Sequence, residues 1–112
     1  MLAPNQIRKL AHGAGWRGRN VDIAVAVAWA ESKGRTCAVG DVSLQTGKWG
    51  PSIGLFQIRS LNAERGTGST RDQNVNSDPR VNLRHAYKVW QEAGGSWRPW
   101  STWLHGTYRQ FL

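Results

Sequence analysis

A glutamate closes an otherwise apolar helix in this sequence. From Val21 to about Ser32 the residues Val21, Ile23, Ala24, Val25, Ala26, Val27, Ala28, Trp29 and Ala30 leave no polar stripe, and Glu31 follows in the last turn. A helix that is apolar on every side belongs inside a fold. A carboxylate at its C-terminal end faces the partial negative charge of the last carbonyls, and shielding by Trp29 adds a desolvation cost. Both favour the protonated form. A glutamic acid so placed is prepared to donate a proton near neutral pH, although an acid here also reads as the first solvated residue after a buried helix. Two further polar groups bear on the choice. Gln57 is inserted among apolar neighbours in Gly54-Leu55-Phe56-Gln57-Ile58, and a buried amide needs partners, either near Glu31 and on a ligand or in the local backbone. Asp41, in Val39-Gly40-Asp41-Val42, either faces Glu31 across a cleft or serves as a turn former.

Glu31-Ser32, then a turn-rich segment, then Gly54-Leu55-Phe56-Gln57-Ile58 together resemble the catalytic domain of soluble lytic transglycosylases in the lysozyme-like superfamily, of the phage endolysin or virion-associated type. In that family a Glu-Ser pair ending a core helix is followed by a Gly-Leu-Met-Gln-Ile type element. The resemblance runs from about Val21 to Tyr108, with Phe56 in place of the usual Met. It implies cleavage of the β-1,4 bond between N-acetylmuramic acid and N-acetylglucosamine in peptidoglycan, with Glu31 as general acid and then base. Attack by the sugar's own C6 hydroxyl would give a 1,6-anhydro product. Attack by water, as in a muramidase, would call on a second carboxylate, Asp41. Ser32, Trp49, Ser52, Gly54, Gln57, Tyr87 and Trp103 are the expected substrate contacts, the rings of Trp49 and Trp103 as flanks that pack on sugar faces. Family members carry an Ala-Tyr-Asn-Ala-Gly element whose Tyr approaches the catalytic Glu. Here the sequence is Trp100-Ser101-Thr102-Trp103-Leu104-His105-Gly106, which leaves Trp103, Tyr108 or Tyr87 to take that place.

The elements that must position these residues can be read in turn. Asn20 is placed to cap the core helix, Asp22 complements its positive end, and Gly34 supplies the residue that leaves it with positive φ. Before it, Pro4 opens a packing helix to about Ala14 with Ile7, Leu10 and Ala11 inward. Gly13, Gly15 and Gly18 with Arg17 and Arg19 form a basic turn; no strand precedes it and no Gly-Lys-Ser/Thr follows, which argues against a phosphate loop. Arg35 to Ile53 is turn-rich, with Ala38-Val39 and Val42-Ser43-Leu44 as strand fragments of a small irregular hairpin. Ser60 is expected to cap a short helix to about Arg65, before a polar loop from Gly66 to Asn76. Asp78 and Pro79 start a helix to about Ala93, with Val81, His85, Ala86, Val89, Trp90 and Ala93 on its inner face and Leu83 and Tyr87 widening it. By the resemblance, this helix begins near Asn82 and packs against the catalytic one. Pro99 opens a last helix.

The expected fold class is α+β and mostly α, a small lysozyme-like fold with a buried central helix and a short β-hairpin beside the cleft. With 112 residues the chain has room for one core, so residues 1–112 are expected to form a single monomeric catalytic domain. Fifteen Lys and Arg against seven Asp and Glu give a net charge of +8, which predicts attraction to polyanions, anionic cell-wall polymers among them. Charge and the Trp97-Arg98-Pro99-Trp100 run also suit a nucleic-acid module, but no recognition motif supports specific binding. Cys37 is alone, and His12, His85 and His105 are widely spaced, so neither a disulfide nor a metal or other cofactor is expected. Met1 to Ala14 carries no apolar run of signal-peptide length and no segment approaches the roughly 20 apolar residues of a membrane span, so neither membrane insertion nor a secretion address is expected. Delivery to a cell wall would then rest on phage lysis machinery, a virion or a larger parent protein.

Overall fold

The structure, a computed structural model, describes residues 1–112. Helix α1 spans Pro4–Ala14, with Pro4 in its first turn and the Ala3 N–H donating to Gln6 Oε1 at 2.8 Å. Proline is tolerated there because the first N–H groups of a helix have no intrahelical partner. Ile7 and Ala11 are its fully buried face and Leu10 is half-buried. Helix α2 spans Arg19–Ser32 and begins earlier than the apolar run suggests. Gly18 occupies the position before it, so Asn20 does not cap the helix. It lies in the first turn, where its Oδ1 accepts from the Trp97 indole at 3.4 Å. Lys33 (φ 55°) and Gly34 (φ 78°) turn the chain out of the helix, and a Cβ on Gly34 would meet the Leu2 carbonyl oxygen at 2.4 Å.

Three antiparallel strands follow, β1 Val39–Gly40, β2 Trp49–Ile53 and β3 Ile58–Leu61, in the order β1-β2-β3. Val42–Leu44, expected as a strand fragment, is a 3-10 turn; β1 pairs instead with β2, Val39 opposite Ile53 and Gly40 opposite Ser52. Pro51 sits inside β2, where the register with β3 shifts between Trp49 and Ser52. An irregularity of that kind accommodates a residue that has no N–H to give the ladder. Ser60 caps nothing: it lies in β3, fully buried, and the 3-10 turn Asn62–Glu64 comes after the strand. The loop that follows is built around Asp72, whose carboxylate accepts the N–H groups of Gly66, Gly68 and Asn74. Burial opposes ionisation of Asp72, but these bonds outweigh it and hold the carboxyl below its ordinary value.

Helix α3 spans Pro79–Glu92 behind an Asp78 cap, whose Oδ1 accepts from the N–H groups of Arg80 at 2.9 Å and Val81 at 3.1 Å. Its fully buried residues are Asn82, Leu83 and Ala86; Leu83 and Ala86 belong to the expected inner face, Asn82 does not, and Val81, His85, Val89 and Trp90 are half-buried. It packs chiefly on α1, which in turn packs on α2, and Leu83 and Ala86 share one buried cluster with Val25, Val27 and Ala28 of α2. Asn82 does the bridging. Its Oδ1 accepts the Phe56 N–H at 2.9 Å, and its Nδ2 donates to the carbonyls of Ile53 (2.9 Å) and Asn76 (2.8 Å). Gly54 must lack a side chain for this clamp to close: its φ is 81°, and a Cβ would meet the Asn76 oxygen at 2.2 Å.

The core is aromatic. Trp16, 1% exposed, stacks on Phe56 (centroids 5.4 Å apart) and Trp97 (5.2 Å), and takes Tyr87 and Trp90 edge-on. Trp100 meets Phe56 edge-on at 5.3 Å and donates its indole N–H to the Phe56 carbonyl at 2.8 Å. Helix α4, Ser101–Leu104, starts after Trp100, later than the Pro99 start expected, and the final 3-10 turn Thr107–Phe111 lies against α2. The whole is α+β and mostly α, as the sequence suggests, and no helix is long and apolar enough to cross a membrane.

If Asn82 is the clamp between α3 and the 53–57 turn, Asn82→Ala should lower unfolding free energy by about 3 kcal/mol, since it strands three buried backbone partners. Urea unfolding measures this. A loss below about 1 kcal/mol would mean the turn is held by packing alone.

Candidate active site

Glu31 emerges from α2 into a pocket of about 180 Å³ that it shares with Asp41, Ser52, Gln57, Arg59, Arg71 and Trp100. The pocket opens at both ends. One continuation runs past Glu31 and Gln57 to Cys37 and Val39, and the other past Arg71 and Val89 to Lys88 and Glu92. Glu31 thus lies midway along a groove between the sheet on one side and the Pro99–Ser101 segment and α3 on the other.

The Glu31 carboxyl is half-buried, and desolvation, with a smaller contribution from the negative charge of Asp41, raises its pKa above the ordinary 4.5. Thr102 opposes this. Its hydroxyl donates to Glu31 Oε2 at 2.8 Å, which favours the ionised form but does not outweigh burial. Thr102 is reachable only because Trp100, anchored to Phe56, starts α4 beside the end of α2. Neither Trp103, Tyr108 nor Tyr87 hydrogen-bonds Glu31; the hydroxyl of Thr102 does.

Asp41 faces the same pocket from the other side. It adopts a left-handed conformation (φ 55°) at the start of the 3-10 turn, so it is both a turn residue and a groove residue, and its carboxylate accepts the buried Ser52 hydroxyl. Gln57 is left-handed as well (φ 46°). Its amide nitrogen is spent on the carbonyls of Ala38 (3.0 Å) and Gly54 (2.9 Å), which ties β1 to the turn before β3. Its Oε1 accepts no hydrogen bond from the protein and is the part of the side chain left for a ligand.

The other residues expected at the site stand elsewhere. Ser32 is fully buried and returns its hydroxyl to the Ala28 carbonyl at 2.9 Å, so it has no surface to offer a ligand. Gly54 is closed off beneath Asn76 and Asn82. Tyr87 is packed edge-on to Trp16 on the α1 side of the core. Trp103 stacks on Tyr108 at 6.3 Å and does not line the pocket. Trp49 does not line the pocket itself, but the guanidinium carbons of Arg59 and Arg71, which do, lie 5.9 and 5.6 Å from its ring centroid. Sequence reasoning missed Thr102, Arg59, Arg71 and Trp100. For Arg59 a signal existed: Ile58 and Ser60 turn inward along β3, so Arg59 between them must face out over the groove. Thr102 carries no such signal.

A family model described as "Lysozyme like domain" matches residues 8–102, most of the chain. No curated protein and no solved structure matches it.

The opposition between burial and Thr102 is testable without a substrate. In Thr102→Val the bond that favours the carboxylate is gone, so Glu31 should titrate at higher pH than in the parent, as read by carbon-13 NMR of its carboxyl. An unchanged or lowered midpoint would show that the hydroxyl does not act on Glu31.

Proposed function

The chain belongs to the lysozyme-like domain family, a family of peptidoglycan-lytic enzymes, and from that premise we propose that residues 1–112 act as one catalytic unit that cuts the β-1,4 bond between N-acetylmuramic acid and N-acetylglucosamine. Glu31 is the general acid. The observation that carries this role is its half-buried carboxyl on the pocket wall, with a pKa raised by desolvation. In its protonated form, which burial favours, it gives its proton to the glycosidic oxygen as the bond to the muramic C1 breaks through an oxocarbenium-like state. The carboxylate left behind keeps the Thr102 bond, which counts for more once the group is charged. It then takes a proton from the nucleophile. In lytic transglycosylation, the reading the sequence resemblance favours, that nucleophile is the C6 hydroxyl of the same sugar, and one carboxylate suffices. The free Oε1 of Gln57 is suited to accept a hydroxyl or amide N–H of the bound sugar.

Hydrolysis is the second reading, and the presence of Asp41 in the same pocket favours it: a carboxylate there could steer water to C1. The two differ in product and in what Asp41 does. Transglycosylation predicts 1,6-anhydro-muramic ends and an Asp41→Ala variant that keeps much of its activity. Attack by water predicts reducing muramic ends and a loss of about 10²-fold or more. Mass spectrometry of digested walls reads the product directly. The wall is the site of action in either case, and delivery by phage lysis machinery, a virion or a parent protein belongs to the same proposal.

Glu31→Gln should remove at least about three orders of magnitude of wall-clearing activity, because an amide cannot donate the proton. It should also change stability in a pH-dependent way. Where a folded carboxyl has a raised pKa, its stabilising contribution is present below the ordinary value and is lost as pH rises through the raised one. The melting temperature of Glu31→Gln relative to the parent should therefore rise as pH is raised from below the ordinary 4.5 through the raised pKa. Full activity in a folded Glu31→Gln protein would remove Glu31 from the mechanism.

A further inference from the structure

Three cations crowd one indole at the edge of the groove. Lys48 Nζ lies 5.6 Å from the Trp49 ring centroid, the Arg71 guanidinium carbon 5.6 Å and that of Arg59 5.9 Å. Arg59 and Arg71 line the same pocket as Glu31. Their positions are fixed by neutral acceptors. Arg59 gives its Nε–H to the Gly50 carbonyl and a terminal N–H to the Leu44 carbonyl, and Arg71 gives one N–H to the Arg59 carbonyl. These bonds orient the guanidinium groups without cancelling charge. No carboxylate pairs with either arginine, although Glu64 accepts the Arg71 backbone N–H and Glu31 and Asp41 line the pocket; the one ion pair in the chain joins Arg8 and Asp22 on the far helices. The arrangement is like-charged, held in place, partly shielded by an aromatic face, and left with most of its N–H groups free.

We propose that Arg59, Arg71 and Lys48 form an anion subsite beside the scissile position, which takes an anionic oxygen group carried by the glycan strand. The inference rests on the glycan-cleaving reading above and adds to it which strands are taken best. Two groups of a wall share this chemistry, the carboxylates of the peptide stems and the phosphodiesters of attached polymers. A planar carboxylate or a phosphate oxygen pair matches the paired donors of a guanidinium, and the cation–indole contacts hold the three cations near one ring. A general positive field, by contrast, would attract any polyanion to any face and would not depend on these three residues.

The test uses the full chain with Glu31→Gln to stop turnover, and calorimetric binding of three soluble strand fragments. The first bears peptide stems with free carboxylates and no polymer. The second is the same fragment with every carboxylate amidated. The third is amidated but retains polymer phosphodiesters. The first or the third should bind about tenfold or more tightly than the second, and that advantage should shrink as salt is raised. An advantage of the first alone assigns the stem carboxylate, and of the third alone the phosphodiester. Adding Lys48→Gln and Arg71→Gln should erase the advantage while leaving affinity for the amidated fragment, whereas Arg71→Lys, which keeps the charge but not the paired donors, should retain only part of it. Arg59 is left in place because its N–H groups hold the Gly50 and Leu44 carbonyls. Equal affinity for all three fragments would overturn the anion subsite and leave the glycan reading standing. Binding of none, with no wall clearing by the parent protein, would overturn that reading and the subsite with it.

Discussion

The structure depends on one aromatic contact set, Trp16 against Phe56 and Trp97 with Trp100 closing on Phe56. These four residues come from the α1–α2 turn, the turn between β2 and β3, and the C-terminal segment, so burying them brings together parts of the chain that local sequence cannot connect. Each ring removes a large apolar area from water, and the offset and edge-on geometries add to it. The functional consequence is direct. Trp100 hydrogen-bonded to the Phe56 carbonyl fixes where α4 begins, α4 presents Thr102, and Thr102 meets Glu31. The groove is the gap left between the sheet and this aromatic wall.

A second constraint is electrostatic. In a chain of net charge +8, an acid near basic side chains would ordinarily be held ionised. Glu31 escapes because the arginines of the groove stand at Trp49, without an ion pair to it, while Asp41 faces it from across the pocket. Burial is then the largest influence on its pKa and raises it. Asp72 shows the opposite outcome in the same fold. It is completely buried, yet three backbone N–H groups hold it ionised, so burial alone does not set a carboxyl's pKa; the number of donors aimed at it does.

Much of this was legible in the sequence because local chemistry carried it. Pro4, the Asp78-Pro79 pair and the apolar run of α2 mark helices whose ends follow from backbone satisfaction, and Glu31 stands out by being the polar residue that ends such a run. What was hidden depended on tertiary contacts. Ser32 sits beside Glu31 in sequence but turns its hydroxyl back to the Ala28 carbonyl, a choice that i−4 geometry allows and spacing does not reveal. Val42–Leu44 has strand composition, yet the left-handed Asp41 before it winds the chain into a 3-10 turn. Trp49–Ile53, with Gly50 and Pro51 inside it, has the composition of a loop and is a strand because β1 and β3 lie on either side. Among seven tryptophans, nothing local separates Trp100, which lines the groove, from Trp103, which stacks on Tyr108.

The central claim is that burial raises the pKa of Glu31 and so favours the protonated acid that bond cleavage needs. The most direct measurement compares two curves on the parent protein: the pH dependence of kcat/KM on soluble glycan strands, and the carbon-13 NMR titration of the Glu31 carboxyl. The account predicts that activity falls as pH rises through the same midpoint at which Glu31 ionises, and that this midpoint lies above the ordinary 4.5 of a glutamate. A Glu31 midpoint at or below that ordinary value, or an alkaline limb that follows some other group, would contradict it.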